Sequence, residues 1–261
     1  MPKLATPVSS LFKDAAIARE ILSVSRFLEG RDNGPFMDAS VQRAYHFEHD
    51  IVHLWTGQEK DGIISKIGTL PNLDLITFHM ASACSDPVLK NGIFERGGKS
   101  FSRDELLKNA SENVKWLKSA LSPYTIDVAV ENNNYYPTAA YDHITEPGFI
   151  REVITKNSLT FLFDIAHALI TAHNKKESYK NYIDALPMDK MIQVHVSKYA
   201  VADTGLAYDA HELPDESLFQ EVKSVVNRHD PRYITIEYYN DKDALIGALK
   251  KFDRLCTAEK R

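Results

Sequence analysis

Five short apolar runs, each stopping at or just past a histidine, aspartate or glutamate, constrain this chain more than any other feature. They read LDLITFH ending at His79, IDVAVEN with Glu131, LTFLFD ending at Asp164, MIQVHVS with His195 and YITIEYY with Glu237. Their near-continuous apolar character marks strands covered on both faces. Helix-period stretches separate them. Ser102 to Leu121 opens on a capping box, Ser102 with Glu105, and sets Leu106, Ala110, Val114, Leu117 and Leu121 on one face. Thr145 can cap a helix through Thr155, with Phe149, Ile150, Val153 and Ile154 inward. Leu218, Phe219, Val222, Val225 and Val226 form a further stripe, as do Leu245, Ile246, Leu249 and Phe252. Doubly buried strands alternating with amphipathic helices predict an α/β protein of parallel β/α units. At 261 residues the expected architecture is one (β/α)8 TIM barrel, a single domain over residues 1–261.

A closed barrel needs three more strands from the first third of the chain. Leu4 to Ser10 is the expected first strand, and Asp14 to Leu22 the first helix with Ile17, Ile21 and Leu22 inward. Ile21 to Leu28 is an alternative source of the second strand, before a loop from Glu29 to Pro35 flanked by Arg26 and Arg31. Asp50 to Trp55 is the expected third strand, carrying His53 behind a lead that holds His46 and His49. The polar, Gly-containing stretches Glu29 to Pro35 and Asn91 to Ser100 read as loops over the barrel mouth.

Composition excludes several classes. The formal net charge of -5 and sequence pI of about 6.1 give no global basic signature for nucleic acid or a membrane surface. Nucleic acid as a partner is not favoured, although a local patch could serve it. Cys84 and Cys256 are too few for a disulfide framework, and MPKLATPVSS has no apolar signal region, which fits a reducing cytoplasm. No apolar run approaches the roughly 20 residues needed to cross a bilayer.

In a parallel barrel the C-terminal ends of all strands open on one face, so ligand-type residues scattered along the sequence converge there. Asp164 could simply cap the next helix, but the recurrence at five strand ends with one polarity favours a site. Three residues beyond Asp164 stands His167. After the strand with His195 comes HVSKYAVADTGLAYDAHELPDE, in which Asp209 and His211, two apart, point the same way in an extended segment. The expected metal ligands are therefore His53, His79, Glu131, Asp164, His167, His195, Asp209, His211 and Glu237. His46, His49, His143, His173 and His229 are left as surface or supporting residues, with His173 the first exception to consider. Lys198 is close enough in sequence to approach an anionic ligand, and is as readily a solvated lysine.

Four crowded carboxylates would repel one another without cations. Five imidazoles and four carboxylates supply three or four ligands each to two or three divalent ions, with Glu131 placed to bridge two. The mixed nitrogen and oxygen donors suit iron, zinc or manganese, and the lack of cysteine ligands argues against structural zinc or an iron–sulfur cluster.

From His53 to Glu237 the pattern resembles the xylose-isomerase-like TIM-barrel superfamily, in which two branches compete. Endonuclease IV uses His, His, Glu, Asp-x-x-His, His, Asp-x-His and Glu in this order, matched here from His53 through Glu237, and HVSK at 195–198 is similar to its text. Its Gly-rich sequence after the bridging glutamate is replaced by NNNYYP. That resemblance implies a trinuclear zinc phosphodiesterase. The multinuclear non-haem iron oxidative family, which modifies cysteine in ribosomally made peptides, is similar in the connecting text: VENNNYY, EPGFIREV, TAHN, YIDALPMDKMIQVHVS and GLAYDAHELPDESLF. That family commonly has Asn where His167 stands, and a Gly-His pair after the position of His195. This resemblance implies two or three irons, dioxygen and a peptide or small thiol substrate, and is preferred, with Glu131 and Glu237 as catalytic residues beside Lys198. A sugar isomerase or epimerase, with Glu131 and Glu237 bracketing one ion, and a non-catalytic metal-binding partner subunit are the remaining alternatives.

Overall fold

A computed structural model describes residues 2–35 and 37–257. Eight parallel strands close into a barrel: β1 (Lys3–Pro7), β2 (Phe27–Arg31), β3 (Gln42–Asp50), β4 (Leu75–His79), β5 (Asp127–Glu131), β6 (Thr160–Asp164), β7 (Met191–Val196) and β8 (Tyr233–Ile236). Each pairs with its sequence neighbours, and β8 closes on β1 through Leu4 opposite Ile234. Among the described residues eight α-helices cover the outside: α1 (Ala15–Ser25), α2 (Gly57–Gly68), α3 (Arg103–Ala120), α4 (Pro147–Lys156), α5 (Ile165–Lys175), α6 (Tyr179–Ala185), α7 (Glu216–His229) and α8 (Lys242–Thr257). Among the described residues β2 and β3 are joined without an α-helix; a single 3-10 turn, Ala39–Val41, intervenes. No helix among the described residues is long and apolar enough to cross a membrane.

Local chemistry explains where the helices begin. The capping box of Ser102 and Glu105 forms as expected, and Thr56 with Glu59 makes a second one on α2. Asp14 caps α1 by accepting from the amides of Ala16 and Ile17. The helices bury one stripe each against the strands; Ile150, Val153 and Ile154 of α4 and Val222, Val225 and Val226 of α7 are in the core.

Strand alternation sorts the lumen into layers. Ala5, Ala44, Leu75, Ala129, Leu162, Ile192 and Tyr233 form an apolar floor. Two residues further along the strands the same face turns polar: Ala44 gives way to His46, Leu75 to Thr77 and His79, Ala129 to Glu131, Leu162 to Asp164, and Tyr233 to Thr235 and Glu237. Below the floor, the Tyr233 hydroxyl donates to Asp74 at 2.7 Å and Arg232 pairs with Asp127 at 2.5 Å.

The first third departs from expectation. β2 runs through Glu29 and Arg31 rather than ending before them, and Ile21 lies in α1. β3 is the polar-looking QRAYHFEHD, and the expected strand Asp50–Trp55 starts on its last residue and continues as the turn after it. Ile51, Val52 and Trp55 are buried, but against α3: Asn109 donates to Val52 O, and Asn113 donates to Ile51 O and His53 O while accepting from Trp55 N. Two carboxamides thus satisfy the backbone that a strand partner would have satisfied. On β2, a Cβ at Gly30 would meet the Tyr45 ring at 2.4 Å, so glycine is what lets Tyr45 of β3 lie across the outer face.

Candidate metal centre

The upper lumen gathers imidazoles and carboxylates that are almost wholly buried. His46, His195 and Glu29 are 0% exposed, Asp164 1%, and Glu131 and Glu237 3%. Glu131 is central. Its Oε2 lies 2.9 Å from His79 Nδ1 and 3.7 Å from His46 Nε2, and its Oε1 lies 3.2 Å from His195 Nδ1 and 3.9 Å from His167 Nδ1. Donor atoms of three trios fall within 4.8 Å of one another: His46, His79 and Glu131; Glu131, Asp164 and His195; Glu29, His195 and Glu237. Glu131 belongs to the first two, as a bridging carboxylate would.

Three of the imidazoles are oriented from outside. His46 Nδ1 is 2.6 Å from Thr77 Oγ1, His167 Nδ1 donates to Asn132 O at 2.8 Å, and His195 Nε2 donates to Glu29 Oε2 at 3.0 Å. In each case the remaining nitrogen faces the carboxylates. Fixing one ring nitrogen so that the other is presented inward is how metal-ligating histidines are held.

Asp164 combines both roles its position suggested. Its Oδ1 accepts the amide of His167 at 2.7 Å and caps α5, while Oδ2 is buried with no hydrogen-bond partner. His195 Nδ1 is likewise buried without a well-formed hydrogen bond, with Glu131 Oε1 3.2 Å and Glu237 Oε1 3.4 Å away. Leaving such groups unpaired costs about 1–3 kcal/mol each. A divalent cation between them removes that cost, so the residues fit a metal ion.

The electrostatics agree. Burial, together with the neighbouring His79 and Arg31, holds His46 neutral well below the usual imidazole range, and neutral imidazole is the form that ligates. Burial opposes ionisation of Glu131, yet the imidazoles of His195, His46, His79 and His167 keep it a carboxylate well below its ordinary range. Burial pushes Asp164 well above it, with His167 only partly opposing. For His195, burial is outweighed by Glu237 and Glu29, and for His167 by Asp164 and Asp209; both hold a proton well above the ordinary imidazole range. Without metal, protons therefore serve as counter-charges.

Asp209 and His211 reach the rim from a hairpin at the mouth, Lys198–Val201 paired with Ala207–Glu212. A register shift lets residues 209–211 arch out of the ladder, with His211 at φ 45°. Asp209 Oδ2 then lies 3.2 Å from His211 Nε2 and 3.5 Å from His167 Nε2, and His211 Nε2 lies 3.8 Å from Glu237 Oε2. The pair converges, though through a bulge rather than through plain strand alternation.

Two expected residues stand elsewhere. His53 lies on the turn after β3, where its Nε2 is 2.8 Å from Ser82 O and 3.7 Å from Asp50. His46, set aside as a surface or supporting residue, takes the rim position expected of His53. Lys198 pairs with Asp215, the N-cap of α7, at 3.1 Å instead of facing the carboxylates of the lumen. His173 bonds Gly205 O at 3.0 Å and steadies the hairpin turn. Sequence reasoning missed Glu29 and Arg31 altogether. The FLEGR text of β2 has too few apolar residues to have exposed them as strand positions.

A family model described as RiPP precursor modification enzyme MbnB/TglH/ChrH matches residues 101–257. A UPF0276 protein of Caulobacter vibrioides is 26% identical over 125 residues, 48% of this chain and 44% of that protein. Another, from Caulobacter sp. strain K31, is 25% identical over 57% of this chain and 54% of its own length. The chain thus spans about half the length of the curated relatives it matches. Among solved structures, the IolI protein with a binding zinc atom superposes with a TM-score of 0.66 at 10% identity, covering 97% of this chain and 96% of that one. The AP endonuclease, family 2, from Brucella melitensis gives 0.58 at 18% identity, covering 97% and 98%. At such identities these structures establish the xylose-isomerase-like barrel fold alone.

Proposed function

The chain belongs to the MbnB/TglH/ChrH family of RiPP precursor modification enzymes, and from that premise we propose that its barrel mouth holds two or three divalent ions, preferably iron, and oxidatively modifies a thiol of a peptide substrate. The observation that carries the reading is the buried, unpartnered pair Asp164 Oδ2 and His195 Nδ1 beside the shared Glu131. Bound ions would supply Lewis-acid and, for iron, redox chemistry.

His46, His79 and Glu131 would hold one ion, Glu131, Asp164 and His195 a second, and His167, Asp209 and His211 any third. The remaining tasks fall to the protein. Thr77, Asn132 and Glu29 fix which nitrogen each imidazole presents, and Arg31 and Tyr239 hold one oxygen of Glu237. A cavity of about 840 Å³ runs from Asp209 between that residue's hairpin and a second one, Val88–Lys90 paired with Ile93–Glu95, and is lined by Asn91, Ile93, Asn134, Tyr136 and Tyr208. That is room for several residues of an extended peptide.

One observation favours a zinc phosphodiesterase instead: His167, Asp209 and His211 come together as a further ligand group. Against it stands the charge of the mouth, where Glu48 is exposed beside His79 and Lys198 is neutralised by Asp215. Phosphodiester backbones are bound by free Lys and Arg. Elemental analysis of protein purified without chelator, followed by oxygen uptake with a thiol-containing peptide, tests the proposal. Iron with oxygen consumption supports it; three zincs with cleavage of abasic DNA overturns it, as does a single manganese with ketose interconversion.

A further inference from the structure

The three trios of donors differ in what their atoms still lack. In the Glu131, Asp164 and His195 trio, Asp164 Oδ2 and His195 Nδ1 have no hydrogen-bond partner. In the Glu29, His195 and Glu237 trio, by contrast, both Glu29 oxygens, His195 Nε2 and Glu237 Oε1 are already engaged without an ion. Glu29 Oε1 accepts from Arg31 Nη2 at 2.5 Å, and its Oε2 accepts from His195 Nε2 at 3.0 Å and from Gln193 Nε2. The same Arg31 Nη2 donates to Glu237 Oε1, which Tyr239 also approaches at 3.3 Å. At this corner the imidazole presents an N–H rather than a lone pair, so it has nothing to give a cation there. The Arg31 side chain is only 17% exposed and sits between two carboxylates that are nearly inaccessible. A buried guanidinium is a permanent charge with a fork of donors, unlike a metal ion that can leave.

We propose that Arg31 is the resident cation of the Glu29–His195–Glu237 corner: it excludes a metal ion from that trio and positions Glu237 with Oε1 tied back and Oε2 turned toward His211. Oε2 of Glu237 indeed lies 3.8 Å from His211 Nε2. Arg31 is a positioning residue, and Glu29 is the support of His195 rather than a ligand. The inference rests on the reading of the barrel mouth as a metal centre, and it fixes which of the buried carboxylates that centre uses.

The test is the number of zinc ions retained per chain after chelator-stripped protein is reloaded with zinc and desalted. Glu29→Gln keeps an acceptor for His195 and is expected to retain the wild-type count; loss of one ion would make Glu29 a ligand and overturn the inference. Arg31→Met leaves two buried carboxylates without a cation and is expected to retain one ion more than wild type. The extra ion should vanish in the Glu29→Gln, Arg31→Met double variant, and Arg31→Lys should restore the wild-type count. An Arg31→Met count equal to wild type overturns the inference, and if that variant does not fold, Glu29→Gln decides alone. A wild-type chain that takes up no zinc would sink the metal-centre reading, while the gain in Arg31→Met relative to it would still report on the corner.

Discussion

The lumen wall and the mouth hairpin both deliver ligand-type residues to one place, by opposite means. On the wall, Glu131, Asp164 and His195 sit at successive strand ends, closed off from solvent and locked by neighbours in the barrel. On the hairpin, Asp209 and His211 arrive through a bulge that needs a left-handed backbone at His211, with side chains 17% and 35% exposed. The wall is pre-organised by the same packing that makes the fold. The hairpin is held by a few local bonds, among them His173 to Gly205 O and Asn174 to both Tyr135 O and Ala207 O. Ions seated on the wall should therefore be tight and insensitive to loop changes, and any ion that uses the hairpin should be the first to leave.

The strongest way to break that contrast is Glu131→Ala. Because both oxygens face different imidazoles, the variant is expected to lose more than one ion, and unchanged stoichiometry by elemental analysis would remove the bridging role. Thr77→Val takes away the outer partner of His46 and should weaken retention of the His46, His79 and Glu131 ion by about 10–100-fold in a chelator competition. His211→Ala should release at most the hairpin-side ion and leave the wall ions in place; loss of all metal would show that the two regions are not separable.

Proton linkage sharpens the comparison further. His195 and His167 hold their protons well above the usual range in the metal-free chain. Their contribution to stability is therefore present below the unfolded value of about 6.5 and is lost as pH rises through the folded one. A ligating imidazole must give up that proton, so metal binding strengthens over the same rise. The melting temperature gained on adding zinc should grow from pH 6.5 to 8.5, and a gain that shrinks over this window would contradict the protonated-imidazole picture. The smallest effect expected is that of His53→Ala, which removes the contact with Ser82 O. It should cost about 1 kcal/mol in a denaturant melt and leave metal content unchanged.

How legible each part was depended on whether strand text looked like strand text. LTFLFD and MIQVHV advertise themselves because, Thr160 and Gln193 aside, all but the ligand positions are apolar, so Asp164 and His195 stand out at the ends. β3 hides, since its lumen-facing residues beyond the floor are the functional ones and its rim carries Glu48, His49 and Asp50. The apolar Ile51–Trp55 nearby mimics it, although that run is buried by α3 through Asn109 and Asn113. β2 hides for a related reason: a strand of five residues with a glutamate, a glycine and an arginine has no apolar signature to find.

Local sequence on its own determined the parallel β/α architecture and the rim position of His79, Glu131, Asp164, His195 and Glu237, because period-two alternation and an apolar strand leave a strand-end polar residue nowhere else to point. Only the closed barrel decided that His46 rather than His53 joins them, that Asp209 and His211 converge through a bulge, and that Arg31 sits between Glu29 and Glu237. Those are facts of register and of partners up to 206 residues away, which no local pattern encodes.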